Sequence, residues 1–253
     1  CERIGVAKFN STIDMAWLED AVREHLNATA PRRMAVLHPL KVVLTNVEPG
    51  DERVFEAANH PQNEGFGTRE IPFSRELYIE QDDFLEDAPK KFFRLKPGGA
   101  VRLRNAGIIE CDEVVKNDAG DVVELRCTFD PDTSRKVKGT IHWVNAPTAV
   151  AAKVRLYDHL FAAEHPGATA ADDDTEAAGD KSDRFLQDLN PDSLTVLNDA
   201  KLEPSLAKAA PGERFQFERL GYFFVDPHDS QSGAPVFNRT ATLRDSWAKQ
   251  QKK

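Results

Sequence analysis

Between Lys90 and Lys96 the chain reads Lys-Lys-Phe-Phe-Arg-Leu-Lys, with Arg102 and Arg104 following and no acid before Glu110. Cations hold phosphates, while aromatic rings and guanidinium planes stack on splayed bases, so this mixture suits single-stranded RNA. A solvated basic face, balanced by the acids from Glu80 to Asp87, is the other reading of the same residues. A second basic patch, Arg135-Lys136-Val137-Lys138, adds weight to the first reading.

No catalytic constellation stands beside it. The nucleophile elbow GxSxG, the zinc helix HExxH, the phosphate loop ending in GKS or GKT and a strand-to-helix GxGxxG are all absent. Gly65-Phe66-Gly67 falls in a loop, and His142 within IHWV reads as a packed strand residue. The acids of 167–183 (Asp172, Asp173, Asp174, Glu176, Asp180 and Asp183) lack the turn and spacing of a calcium loop. With Ala and Gly between them they cannot bury a core, so a mobile, solvated linker is expected. Cys1, Cys111 and Cys127 have no CxxC spacing. Cys111 and Cys127 are expected as buried thiols of one hairpin in a reducing compartment.

Composition limits the partners. Of 253 residues, 33 are basic and 42 acidic, a net charge of −9, with 40% hydrophobic and 30% charged. That is enough apolar mass for a core, and the length suits one large domain or two ordinary ones. The acidic balance opposes non-specific coating of DNA but leaves room for a local basic site. No apolar run approaches the roughly 20 residues that span a membrane, and no signal-peptide pattern opens the sequence. A start at Cys1 fits either a lipoprotein anchored there or a piece of a longer protein. The helical pattern that begins almost at once favours the second.

The elements that would carry the basic cluster are mostly strands. Met15, Leu18, Val22 and Leu26 recur at helical spacing, with Ser11 or Thr12 as cap and Pro31 as the latest end. Beyond Pro31 the period changes. Strands are expected in Met34–Val47, with Pro39 at an edge or bulge, and in Glu70–Glu80. Gly99–Asp118 and Asp121–Asp130 form a hairpin about Asp118-Ala119-Gly120-Asp121. Further strands are expected in Lys136–Val144, Lys153–Phe161, Ser193–Leu197, Arg214–Asp226 and Val236–Leu243. So many short strands predict a mainly β chain of two barrels.

The segments RIGVAK, NHPQNEGFGTREIPFS, RLRNAGIIECDEV, RKVKGTIHWV, VRLYDHLF, FQFERLGYFFVD and PVFNRTATLRDSWAK resemble the carboxy-terminal half of the glutaminyl-tRNA synthetases. The likeness runs from Arg3 to Lys249, broken mainly by the acidic insert. Glutamyl-tRNA synthetases of the archaeal and eukaryotic type share the barrel pair and are the nearer rival. A non-catalytic barrel module attached through Cys1 is the alternative from another class. FNRTATLRDSW favours the glutaminyl family.

The resemblance implies two linked anticodon-binding β-barrels behind a helical connector. The connector would be residues 1–31, the proximal barrel 32–89 and 153–253, the distal barrel 90–152, and the mobile insert 167–183. It implies glutamine tRNA as partner, through its anticodon loop, and a monomeric cytoplasmic protein without membrane contact. ATP and Mg belong to the complete ligase; the HIGH and KMSKS motifs are absent, so no cofactor and no aminoacylation are expected of this chain alone.

Site residues carry over one by one. Arg32 and Gln216 match contacts to the middle anticodon base, a uridine, whose N3–H lies between two carbonyls that an amide and a guanidinium can complement. Arg94 matches the reader of the third base, a guanine, and Arg102 a residue near the first, C or U, where a donor to pyrimidine O2 accepts both. Gln62 stands where Asn is familiar. Lys91 and Phe93 replace Gln and Lys, so phosphate attraction and stacking are expected there. Arg219 matches a site position, with an ion pair to Glu218 or another acid as an equal reading. Lys90, Lys96 and Arg104 are expected at the tRNA backbone.

Overall fold

A computed structural model describes residues 15–163 and 181–244, together with 5–6, 8–9 and 166–167. Cys1, the expected caps Ser11 and Thr12, and residues 168–180 of the acidic stretch lie outside the described residues. Among those described, one α-helix, α1 (Met15–Thr29), precedes a run of strands. These are β1 (Arg32–Arg33), β2 (Ala35–Val36), β3 (Pro39–Leu44), β4 (Arg53–Ala58), β5 (Thr68–Phe73), β6 (Glu76–Glu80), β7 (Ala100–Leu103) and β8 (Ile108–Lys116). There follow β9 (Val122–Asp130), β10 (Thr140–Ile141), β11 (Val144–Asn145), β12 (Val150–Tyr157), β13 (Leu194–Leu202), β14 (Arg214–Phe217), β15 (Gly221–Val225) and β16 (Val236–Ala241).

Two seven-stranded sheets result. One runs β10-β7-β8-β9-β3-β6-β11, the other β1-β14-β15-β16-β12-β13-β2, and β4 pairs with β5 alone. The edges of the first sheet, β10 and β11, are separated only by His142 and Trp143; those of the second, β1 and β2, only by Met34. Each sheet therefore curls until one short piece of chain supplies both edges. That is a near-barrel, and it hides the free strand edges that invite aggregation.

Burial alternates cleanly along β3, with Leu40, Val42 and Leu44 inward. In the first barrel Trp143 is fully buried, edge-on to Phe73 at 5.5 Å, and its Nε1 donates to the Arg104 carbonyl at 2.9 Å. In the second, Phe217 stacks on Phe223 at 4.2 Å and touches Phe237 at 5.1 Å. Leu26 and Val22 of α1 pack on Tyr222, Ala241 and Leu243, whereas Met15 and Leu18 of the same stripe are exposed. Only the C-terminal half of the helical stripe serves as core.

The β8–β9 hairpin turns where expected. Asn117 Oδ1 accepts from the Ala119 and Asp121 amides at 3.0 and 2.9 Å, and Gly120 takes φ +88. Cys111 and Cys127 face each other across it as buried free thiols. Elsewhere single expected strands are broken: Ser74-Arg75 divides β5 from β6, a turn divides β7 from β8, and Glu218–Leu220 divides β14 from β15. Sheet membership also differs from the expected grouping of 32–89 with 153–253. β3 and β6 join β7–β11, and only β1 and β2 join β12–β16. β3 pairs in parallel with β9, a pairing that needs a long crossover and leaves no local turn signal.

Candidate nucleic-acid interface

The basic cluster forms a loop between β6 and β7, held from beneath. Leu95 is fully buried and Phe84 nearly so, and the Leu95 amide donates to the Asp83 carbonyl at 2.9 Å. With this inward anchor, Lys90, Lys91, Phe93, Arg94 and Lys96 are exposed. The connection from β9 to β10 forms the opposite wall of a groove of about 310 Å³. Lys90, Arg94, Lys96, Arg135, Lys136 and Lys138 line it, with no acid among the lining residues. Lys138 Nζ stands 5.3 Å from the centre of the Phe93 ring, a cation–π contact. The walls meet at Gly139, where a Cβ would lie 1.8 Å from the Phe93 carbonyl oxygen. Only glycine permits that approach.

Lys91 is exposed but does not line this groove. Arg102 on β7 donates to the Thr133 and Arg135 carbonyls at 3.1 and 2.9 Å. Its guanidinium thus braces the wall that carries Arg135.

A second cluster lies where α1 meets β1 and β14. Arg32 and Gln216 are register partners in that parallel pairing. Arg32 is buried and donates to the Ala30 carbonyl at 2.7 Å and to Asn27 O and Oδ1 at 3.0 and 2.8 Å. It thereby satisfies carbonyls left open at the helix end. Burial lowers its pKa, with Tyr222 and Glu218 opposing. Gln216 Oε1 is buried and meets no donor among the described residues. His60 Nε2 contacts the Asn27 carbonyl at 2.8 Å while the Gln62 amide reaches His60 Nδ1 at 3.2 Å. A neutral ring with its proton on Nε2 satisfies both. The Gln62 side chain is exposed beside this network.

A junction of charges joins the two clusters. Arg219, at φ +69 in the turn between β14 and β15, donates in a fork to Asp83 at 2.5 and 2.6 Å. Its partner is thus Asp83 and not Glu218. Arg94 Nε approaches the same carboxylate at 3.3 Å, and Arg94 Nη1 donates to the Asp82 carbonyl at 2.8 Å. His142 Nδ1 lies 3.1 Å from Arg219 Nη1, so this histidine sits in the ionic junction at the barrel's closure instead of within a strand. Arg104 pairs with Glu218 across the two sheets. Burial raises the Glu218 carboxyl, while the Arg104 and Arg69 charges pull against it. Neither composition nor spacing marks Asp83, Asn27 or Tyr222 as site residues. His60 and Tyr222 carry a signal of resemblance, since they lie inside the NHPQNEGFGTREIPFS and FQFERLGYFFVD segments, whereas Asp83 and Asn27 carry none.

Two family profiles match the chain, at residues 30–130 and 140–226, both described as the anticodon-binding domain of class I tRNA synthetases (E and Q). The chain belongs to this anticodon-binding family. Among its relatives, the glutamine–tRNA ligase of Rhodopirellula baltica is 55% identical over 98% of this chain and 41% of its own length. Those of Nitrobacter winogradskyi and Pseudomonas putida are 54% and 51% identical, each over 98% of this chain and 43% of their own length. The chain thus spans about two fifths of the length of the curated relatives it matches. Arg32, His60, Gln62, Lys90–Lys96, Arg102 and Gln216 fall within the residues that the family profiles match, whereas Asn27 and the groove wall from Arg135 to Gly139 lie outside them. Among the described residues, no group of three or more His, Cys, Asp or Glu could hold a metal ion, and no helix is long and apolar enough to cross a membrane.

Proposed function

We propose that this chain reads the anticodon of glutamine tRNA on behalf of a glutamine–tRNA ligase, whose ATP- and Mg-dependent activation of glutamine uses none of the residues assigned here. The observation that carries the reading is the unpartnered Gln216 Oε1 beside Arg32. A uridine supplies the missing donor at N3–H, while the Gln216 amide and a further Arg32 N–H meet its two carbonyls. A buried acceptor without a donor costs stability, so its persistence supports a ligand that fills it.

The basic groove suits the flanking bases. Arg94 reads guanine at the third position, Phe93 offers a stacking face, and Lys90, Lys91 and Lys96 attract phosphate. Arg102 reaches the first base, and Gln62 and Arg219 complete the middle-base surroundings. Arg104, half-exposed beside Glu218, attracts the backbone. Glutamine and glutamate anticodons share the middle uridine and differ at the third base, G against C, so Arg94 also separates the two partners. The identities to three glutamine–tRNA ligases support the glutaminyl side. We read the chain as acting in monomeric, cytoplasmic form.

The test compares binding of glutamine tRNA with variants changed at one anticodon base, at constant salt. Arg94→Ala is expected to lose about 1–3 kcal/mol of preference for guanine at the third base and little elsewhere. Equal weakening of every variant would make Arg94 a phosphate contact and overturn its assignment. Equal binding of all variants by the unaltered chain would overturn the function itself.

A further inference from the structure

We infer that Asp83 is a positioning residue that presents Arg94 to the third anticodon base and ties that contact to the middle-base cluster. The inference rests on the anticodon reading above. Asp83 closes the short turn after β6, and its side chain is only 1% exposed. A carboxylate buried this deeply is tolerated only when it is paired and hydrogen-bonded. Here it is paired twice, by one arginine from each half of the fold. Arg219 reaches it from the β14–β15 turn with a bidentate fork, the strongest and most directional form of this pairing. Arg94 reaches it from the basic loop through Nε.

The consequence for Arg94 is geometric. Its Nε faces Asp83 and one Nη1 proton is taken by the Asp82 carbonyl, which fixes the plane of the guanidinium. Among the described residues no hydrogen bond engages Nη2, although the side chain is 45% exposed beside the groove. An arginine held on one side and open on the other is preorganised for guanine acceptors, where a freely rotating one would act as a mobile positive charge. Arg219 follows Gln216 by three positions, and its left-handed backbone at φ +69 is sparsely populated for a residue with a side chain. That conformation directs Arg219 away from its own strand pair and onto Asp83. The carboxylate thus makes the orientation of Arg94 depend on a turn of the other barrel. The physical warrant for coupling is one shared anion, not proximity alone.

The experiment uses the whole 253-residue chain and in vitro transcripts of glutamine tRNA, unchanged or altered at the third or the middle anticodon base, at one salt concentration. The unaltered chain comes first: if it shows no anticodon preference, the anticodon reading fails and this inference falls with it. Given a preference, Asp83→Asn keeps the shape and removes the charge. It is expected to cut the preference for guanine at the third base by about tenfold while binding to third-base variants stays within about twofold. Arg219→Lys keeps a positive charge but cannot fork, and should lower the same third-base preference severalfold from the other barrel. Combining either change with Arg94→Ala should add nothing to Arg94→Ala alone. A wild-type third-base preference in Asp83→Asn, or equal weakening of all transcripts, overturns the role. So does an additive double variant. If Asp83→Asn fails to melt cooperatively, Arg219→Lys and its double variant with Arg94→Ala decide the matter by the same criteria.

Discussion

Arg32 and Gln216 stand opposite each other on parallel strands, yet Arg32 is anchored by three hydrogen bonds while the buried Gln216 Oε1 meets no donor among the described residues. The asymmetry yields a prediction with two opposed readouts. Gln216→Leu removes a buried acceptor that lacks a donor, so the free chain should melt at the same temperature or higher. The same change should abolish the preference for uridine at the middle base, by about 1–3 kcal/mol. Thermal unfolding and tRNA binding together check it. A loss of both stability and preference would mean that Gln216 is an ordinary structural residue.

The groove bounded by Lys90 and Lys138 concentrates charge on a chain of net charge −9. Binding of tRNA should therefore fall steeply with salt, with a log–log slope of about −0.7 per neutralised phosphate on a single strand. Lys90→Ala and Lys138→Ala should each flatten that slope by roughly one contact and weaken all anticodon variants about equally. A slope unchanged by both substitutions would place the phosphates elsewhere.

The local patterns were legible and the long-range ones were not. The helix and the β8–β9 hairpin follow from signals a few residues apart, apolar spacing in one case and the Asn117–Asp121 turn in the other. The parallel pairings of β3 with β9 and β1 with β14 join distant stretches without any turn, so the grouping of strands into barrels could not be read off. The same distinction separates the site residues. Lys90 to Lys96 announce themselves by composition. Asp83 looks like one acid in an acidic run, and its importance appears only when Arg219 arrives from the other sheet.

Gly139 gives a steric prediction. Its Cβ would lie 1.8 Å from the Phe93 carbonyl oxygen, a contact with backbone that no rotamer change relieves. Gly139→Ala should push the two walls of the groove apart, weaken tRNA binding and cost about 1–3 kcal/mol of stability. Gly99→Ala is the milder comparison, since its Cβ would meet the Lys96 side chain at 2.7 Å and backbone, the Lys96 carbonyl oxygen, only at 3.1 Å. Denaturant titration and tRNA binding of both variants provide the check. Equal, small effects at the two glycines would show that the walls adjust freely.

The last prediction concerns acid. Asp226 follows directly on β15 and accepts four hydrogen bonds: from the His228 and Asp229 amides at 2.8 and 2.9 Å, from Asn238 Nδ2 at 2.7 Å, and from Arg155 Nη1 at 3.1 Å. One carboxylate thereby pins β12, β15, β16 and the loop before β16. The Asn238 side chain and the two amides, with the Arg155 charge added, hold its pKa down to about 2 against an ordinary value of 3.8. A folded-state pKa below the unfolded one means that the unfolded chain takes up the proton first as pH falls. Asp226 therefore contributes fully above about pH 5 and loses its contribution between there and about pH 2. Asp226→Asn should be less stable at pH 7 and should lose less of its stability over that acid range than the unaltered chain does. Melting temperatures of both proteins from pH 7 to pH 3 test this, because the difference between them must narrow as acid is added. A difference that stays constant to pH 3 would mean that the ionised form of Asp226 has no special role in holding these strands.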